Sequence, residues 1–266
     1  MDQRGGDRPV TCLGGDRVHP AASAVERGGV AFHFRVEPEF EEIYRDVFVL
    51  GEYDVDFEHD RPCVVDCGAH IGVNVLRQKQ RYPNARVVAF EPSPSTVELL
   101  RRNVAANALR DVDVVAAAVS ADGRPSVAFH VSTDGWGMRD SVAPKRWHDG
   151  EKDEVIEVRS VSLRPYLRGP VDLLKMDIEG SETEVLRSVS AELANVANLV
   201  LEFHFDVANP ANELEPLLAI MADAGLRDIC FLQGGRPVAF EDVVRTPPRW
   251  VVVVRASRPG AHHRSR

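Results

Sequence analysis

The chain has 266 residues with 44% hydrophobic side chains, and its 32 Lys+Arg against 41 Asp+Glu leave a formal charge of -9. That composition supports one hydrophobic core without disulfide or metal staples, and the acidic balance argues against a nucleic-acid partner, whose affinity comes from neutralised phosphates. No apolar run reaches the roughly 18 to 20 residues of a bilayer-spanning helix, and the first twenty residues mix charges with glycines, unlike a secretory signal, so a cytoplasmic chain without a membrane partner is expected.

Residues 1–30, rich in Gly, Arg and Asp, are expected to form a flexible N-terminal segment, followed by one domain over 31–256 and a polar tail over 257–266. Cys12, Cys63, Cys67 and Cys230 are too scattered for a disulfide framework or a paired zinc site. Between the ends, short β-branched runs alternate with helical stretches, the pattern of βαβ units that build a mostly parallel sheet with helices on both faces. Residues 63–66 form the first strand, followed by a helix through Val73, Leu76 and Tyr82. Residues 86–90 form the second, followed by a helix carrying Val97, Leu99, Leu100 and Val104. Residues 112–119 read as a third strand. The rhythm then breaks, because 126–131 and 155–161 read as extended segments joined by a long stretch holding Trp136 and Trp147. Residues 132–154 are a candidate substrate lid, with a plain hairpin tip as the alternative. A strand at 173–176, a helix at 184–189, a strand at 199–205, a helix through Leu214, Leu217, Leu218 and Met221, and late strands at 228–232 and 250–254 complete the pattern.

The first strand runs into Asp66-Cys67-Gly68-Ala69-His70-Ile71-Gly72, a glycine turn that brings bare backbone beside a small ligand. A dinucleotide site would want GxGxxG to meet a pyrophosphate. This turn has GxxxG instead, with Asp66 where a phosphate would be repelled. The second strand ends in Phe90-Glu91-Pro92, and Glu91 stands where an acid can accept both hydroxyls of an adenosine ribose. The fourth ends in Asp177-Ile178-Glu179-Gly180 and the fifth in Glu202-Phe203-His204. Ligands of open α/β sheets bind at the carboxyl ends of the strands, so Asp66, Glu91, Asp177, Glu179 and Glu202 should surround one crevice with few cations. Such a crevice suits a ligand that joins an adenosine ribose to positive charge. S-adenosylmethionine does so with an ammonium and a sulfonium, whereas nicotinamide dinucleotides match only the ribose. Asp before Gly and Glu before Pro are each ordinary loop chemistry; their register after successive strands is the stronger signal.

The segments VVDCGAHIG, VVAFEPSP, LLKMDIEGSE and LEFH, in this order and spacing, resemble the FkbM family of class I methyltransferases over roughly residues 36–255. The resemblance implies a Rossmann-like sheet of about seven strands, the last antiparallel, with S-adenosylmethionine as methyl donor and O-methylation of a small metabolite such as a natural product or sugar. The residues expected at the donor are Asp66, Gly68, His70, Gly72, Glu91, Pro92, Ser93, Ala118, Val119 and Asp177, with Tyr44, from the upstream segment EEIYRDVF, closing over the methionine end. His70 departs from the Asn usual in the family.

Methyl transfer needs nucleophile, carbon and sulfur nearly in line, so positioning is most of the catalysis. A hydroxyl must also lose its proton, and His204 is the expected base, flanked by Asp177 and Glu179. A hydrogen-bonded structural histidine is the alternative. Asp177, Glu179, Glu202 and His204 are also candidate ligands for a divalent ion, and Lys175 pairing with one of these acids would count against it. Transfer to a carboxylate or an amine, and a donor-binding module without catalysis, stay open at this point. Walker, GxSxG and HExxH patterns are absent.

Overall fold

The computed structural model describes residues 21–132, 140–142, 154–205, 209, 211–245 and 251–259; Trp136, Trp147 and most of the candidate lid lie outside the described residues. The described chain opens on a hairpin, β1 (Ser23–Arg27) and β2 (Val30–Phe34), with Arg27 opposite Val30. Gly28 and Gly29 turn it at φ 58° and 77°. A two-residue turn of this kind needs positive φ at both positions to match the strand twist, and only glycine takes that conformation freely. Residues 23–30, expected to belong to a flexible segment, are therefore part of an ordered hairpin, in which β2 buries Val30, Phe32 and Phe34 in alternation. Next come α1 (Glu37–Tyr44) and a π-helical turn (Arg45–Val49). The rings of Phe40, Tyr44 and Phe48 close on Phe32 with centroids 5.3 to 5.5 Å away.

The central layer then builds in chain order: β3 (Cys63–Cys67), α2 (Val73–Arg81), β4 (Arg86–Glu91), α3 (Pro94–Ala106) and β5 (Val112–Ala116). An excursion of β6 (Ala118–Val119), β7 (Ser126–Val131) and β8 (Glu154–Val161) follows. The chain returns through β9 (Val171–Met176), α4 (Glu182–Ser188), β10 (Val196–His204), α5 (Leu214–Asp223), β11 (Asp228–Gln233), β12 (Arg236–Val238), α6 (Phe240–Arg245) and β13 (Val251–Ser257). The sheet order is β5-β4-β3-β9-β10-β13-β11-β12, with β13 antiparallel between β10 and β11. This is the expected Rossmann-like sheet with its last strand reversed, extended by the short edge strand β12.

Successive strand residues point to opposite faces, and both faces are covered, which is why the strands read as near-continuous apolar runs. Val65, Phe90, Leu174 and Leu201 enter the core shared with α4 and α5. Val64, Val87, Leu173 and Val200 enter the core shared with the hairpin, α2 and α3.

The third strand is shorter than expected. β5 ends at Ala116, the Ala117 N–H donates to the Glu91 carbonyl at 3.1 Å, and β6 leaves to pair in parallel with β8. β5 is an edge strand, so no outer ladder carries the chain straight on past Ala116. The two extended segments beyond it pair as the antiparallel ribbon β7–β8. No described helix is long and apolar enough to cross a membrane.

Candidate active site

The carboxyl ends of β3, β4, β9 and β10 meet at one edge of the sheet, around a cavity that α1 and the π-helical turn border through Glu42 and Asp46. The turn after β3 is held by its neighbours: the N–H groups of Gly68 and Ala69 both donate to the Phe90 carbonyl, at 3.0 and 2.8 Å, and the Asp177 N–H donates to Cys67 O at 2.9 Å. Gly68 has φ 75°, and a Cβ there would lie 1.7 Å from the Asp177 backbone oxygen. Its missing side chain is what lets β3 and β9 end side by side. Gly72, at φ 88°, caps α2, and a Cβ there would meet Leu100 at 2.5 Å. This places Gly72 in the packing of α2 on α3, and it does not line the cavity where the donor contact was expected.

Glu91 lines the cavity and is 6% exposed. Its carboxylate is clamped by two backbone amides, His70 N–H at 3.0 Å and Ser93 N–H at 2.9 Å. Burial pushes its pKa up, while His70 and the two amides hold it back. Ser93, expected at the donor, acts through this amide and does not itself line the cavity. Pro92, Ala118, Val119, Gly68 and His70 all do. His70 sits at φ 51° with Nε2 3.4 Å from Glu39 of α1, tying the turn to the upstream segment.

Asp66 is placed differently from expectation. It is fully buried, its Oδ2 accepts from Asn74 at 2.9 Å, and it lies outside the cavity lining. It faces its register partner on β9, Lys175, whose Nζ lies 3.6 Å from Asp66 Oδ1 and 3.4 Å from Asp177 Oδ2. The same ammonium donates to the Gly68 carbonyl at 2.8 Å. Burial would lower the Lys175 pKa, but Asp177, Asp66 and Glu202 outweigh it and keep the ammonium charged.

Asp177 and Glu179 line the cavity together with Glu202, and three of the four expected ion ligands converge: Asp177, Glu179 and His204 offer atoms within 4.8 Å of one another. Glu202 is not part of that group. It accepts a hydrogen bond from the Tyr53 hydroxyl, and burial, with Asp177, raises its pKa to about 8. His204 is 6% exposed, with Nδ1 3.1 Å from Glu182 Oε1 and Nε2 3.2 Å from Glu179. Burial would lower its pKa; Glu179, Glu182 and Asp177 overcome that and raise it to about 10. Both ring nitrogens therefore face carboxylates, which favour the imidazolium form and oppose the general-base role expected of His204.

Tyr44, expected over the methionine end of the donor, is likewise not among the cavity-lining residues. Tyr44 stacks on Phe48 at 4.9 Å beneath the Arg27 guanidinium, away from the cavity lining. The tyrosine that reaches the cavity is Tyr53, buried, with its ring 5.2 Å from Lys175 Nζ. No local pattern marks Tyr53.

Asp140 was likewise not singled out beyond lying in the lid stretch. It reaches the cavity wall and accepts from Ser132 N–H at 2.8 Å. Burial raises its pKa to about 7; Glu91 adds to the rise, while the Ser132 amide, Ser93 and His70 oppose it. The folded chain therefore keeps this proton above the pH where the unfolded chain has lost it, so the carboxyl's contribution to stability falls as pH rises from about 4 through 7. Asp140→Asn preserves the acceptor for Ser132 without the charge. Its melting temperature at pH 8 should exceed that of the parent by a few degrees, roughly 1–3 kcal/mol, with the gap closing toward pH 4. An Asn variant that melts lower at pH 8 would refute this placement.

The sequence profile of the Methyltransferase FkbM domain matches residues 66–227. Methyltransferase sdnD of Sordaria araneosa is 30% identical over 197 residues, covering 63% of this chain and 75% of that protein. Methyltransferase 1 of Beauveria bassiana is 30% identical over 190 residues, covering 63% and 74%. Among solved structures, the methyltransferase FkbM of Methylobacillus flagellatus aligns at a TM-score of 0.47 and 17% identity, over 74% of this chain and 44% of that one.

Proposed function

The chain belongs to the FkbM family of S-adenosylmethionine-dependent methyltransferases, and from that premise we propose that its acceptor is a hydroxyl of a small metabolite, of natural-product or sugar-like type. The observation that carries the placement of the donor is Glu91, an oriented carboxylate on the wall of an acid-rich cavity. The residues present fit the donor: each Glu91 oxygen accepts one backbone amide and retains a lone pair for a ribose hydroxyl. When bound, the donor supplies an electrophilic methyl group on a cationic sulfur.

The chain's own groups then divide the work. Asp177 and Glu179 set up a negative field that favours the sulfonium over the neutral thioether left after transfer. The same field opposes a carboxylate acceptor, which would enter against like charge, and this favours a neutral hydroxyl. Glu202, on the cavity wall and oriented by Tyr53, has a pKa of about 8, closer to neutrality than that of His204, and its ionised form is the group placed to take the hydroxyl proton. His204 holds Glu179 and Asp177 in place.

Calorimetric titration with S-adenosylhomocysteine tests the donor site. Glu91→Ala removes two charge-assisted hydrogen bonds at about 1.5–3 kcal/mol each, so affinity should fall about 100-fold or more. A loss under about threefold, with the variant still folded, would sink the assignment. Isotope-labelled methyl transfer to a panel of hydroxylated metabolites, read by mass spectrometry as methyl ethers, tests the acceptor class.

A further inference from the structure

We infer that Asp177 and Glu179 on the cavity wall, with the buried His204 behind them, form a binding site for a divalent cation of the magnesium or manganese type, on which a hydroxylated acceptor would present two neighbouring oxygens. The inference rests on the methyltransferase reading and adds a group that the reading does not require. His204 Nε2 lies 3.2 Å from Glu179 Oε2 and 3.8 Å from Asp177 Oδ1. Two ligands about 2.1 Å from one ion, at angles between square and tetrahedral, are about 3.0 to 3.4 Å apart. The two separations from His204 Nε2 need change only by tenths of an ångström to reach that range, and the three ligand atoms lie within 4.8 Å of one another.

The ring is already aimed. Its Nδ1 meets the carboxylate of Glu182 at 3.1 Å, and that same carboxylate accepts from the Gly180 N–H at 3.0 Å. One fully buried acid therefore orients both the imidazole and the turn that carries Glu179, as a carboxylate behind a metal-bound histidine does. A separate observation points to more positive charge than the ring alone brings: Glu182 Oε2 is buried without a hydrogen-bond partner among the described residues. Lys175 is shared among the Gly68 carbonyl, Asp66 and Asp177; the pairing that would count against an ion engages Asp177 Oδ2, whereas Oδ1 is the oxygen that faces His204. A divalent ion in place of the proton on Nε2 would neutralise more of this carboxylate excess.

Three protein ligands leave about three positions on an octahedral ion, enough for a vicinal diol, a catechol or an α-hydroxy acid to chelate. Polarised by the ion, the hydroxyl would pass its proton to Glu202 as its oxygen bonds to the methyl carbon. The carbon–sulfur bond breaks in the same step, and the donor leaves as S-adenosylhomocysteine.

The test uses the full chain, stripped with a chelator, saturated with S-adenosylhomocysteine and titrated with Mn²⁺ alone. Electron paramagnetic resonance should show one bound ion per chain with nitrogen coupling from an imidazole. His204→Gln should abolish that coupling and weaken the ion at least about tenfold. Glu179→Gln should weaken it similarly, and serves if the histidine variant does not fold. A parent protein that binds S-adenosylhomocysteine but no Mn²⁺, or that binds Mn²⁺ without nitrogen coupling, overturns the ion site. Failure to bind S-adenosylhomocysteine would instead count against the donor site and leave the ion titration to be read separately.

Discussion

Gly68→Ala should fail to accumulate as folded protein. The added methyl would lie 1.7 Å from the backbone oxygen of Asp177, and no flexible side chain is available to move aside. Relief would require separating the ends of β3 and β9, two central strands paired over Val64–Leu173 through Cys67–Met176. A cost of about 5 kcal/mol or more is comparable to the whole stability of an ordinary domain. Gly123 provides the comparison: it has a similar φ of 67°, but a Cβ there meets nothing within 4 Å. Gly123→Ala should therefore show only the left-handed backbone penalty, about 1–2 kcal/mol. Thermal melts of the two variants separate collision from backbone strain. A Gly68→Ala protein that melts within a few degrees of the parent would mean that the strand ends are not in contact.

Lys175→Met should cost about 3–5 kcal/mol of folding stability. Methionine fills a similar volume, so packing is largely kept, but Asp66 stays fully buried with only Asn74 as a hydrogen-bond donor and the Gly68 carbonyl loses its partner. Denaturant titration gives the size of the effect. The double variant Lys175→Met/Asp66→Asn should recover part of it, because the stranded charge is removed; additive losses would show that the two groups do not interact. The donor site should weaken as well, since the ammonium holds the turn carbonyl directly beneath it.

Much of the catalytic edge was legible because each acid follows an apolar run: VVD, AFE, KMD and LEFH announce a buried parallel strand and the polar residue that leaves it. The side on which such a residue emerges was less legible. Asp66 lies on β3 between Val65 and Cys67, which pack into the α4–α5 core, and so turns to the opposite face, where Lys175 meets it. Pattern alone put it at the ligand. Gly28-Gly29 reads with the polar residues before it and so hides the hairpin, although the alternation in Val30–Phe34 marks a strand. Tyr44 and Tyr53 are nine positions apart in one irregular stretch, and only packing against Phe32 and Phe48 shows which of them is held out of the cavity.

Strand periodicity, the glycine turn and the candidate ribose acid are local properties, written in residues that are neighbours along the chain; they carry the fold class, and the family resemblance of the same segments adds the reaction class. The charge of His204 is of another kind. It depends on Glu179 from the turn after β9, on Glu182 at the start of α4 and on burial of the ring, and it favours a cation where the sequence suggests a base. Coulomb energy scales inversely with both distance and dielectric, and neither quantity exists for a pair of residues until the chain has folded and brought them together.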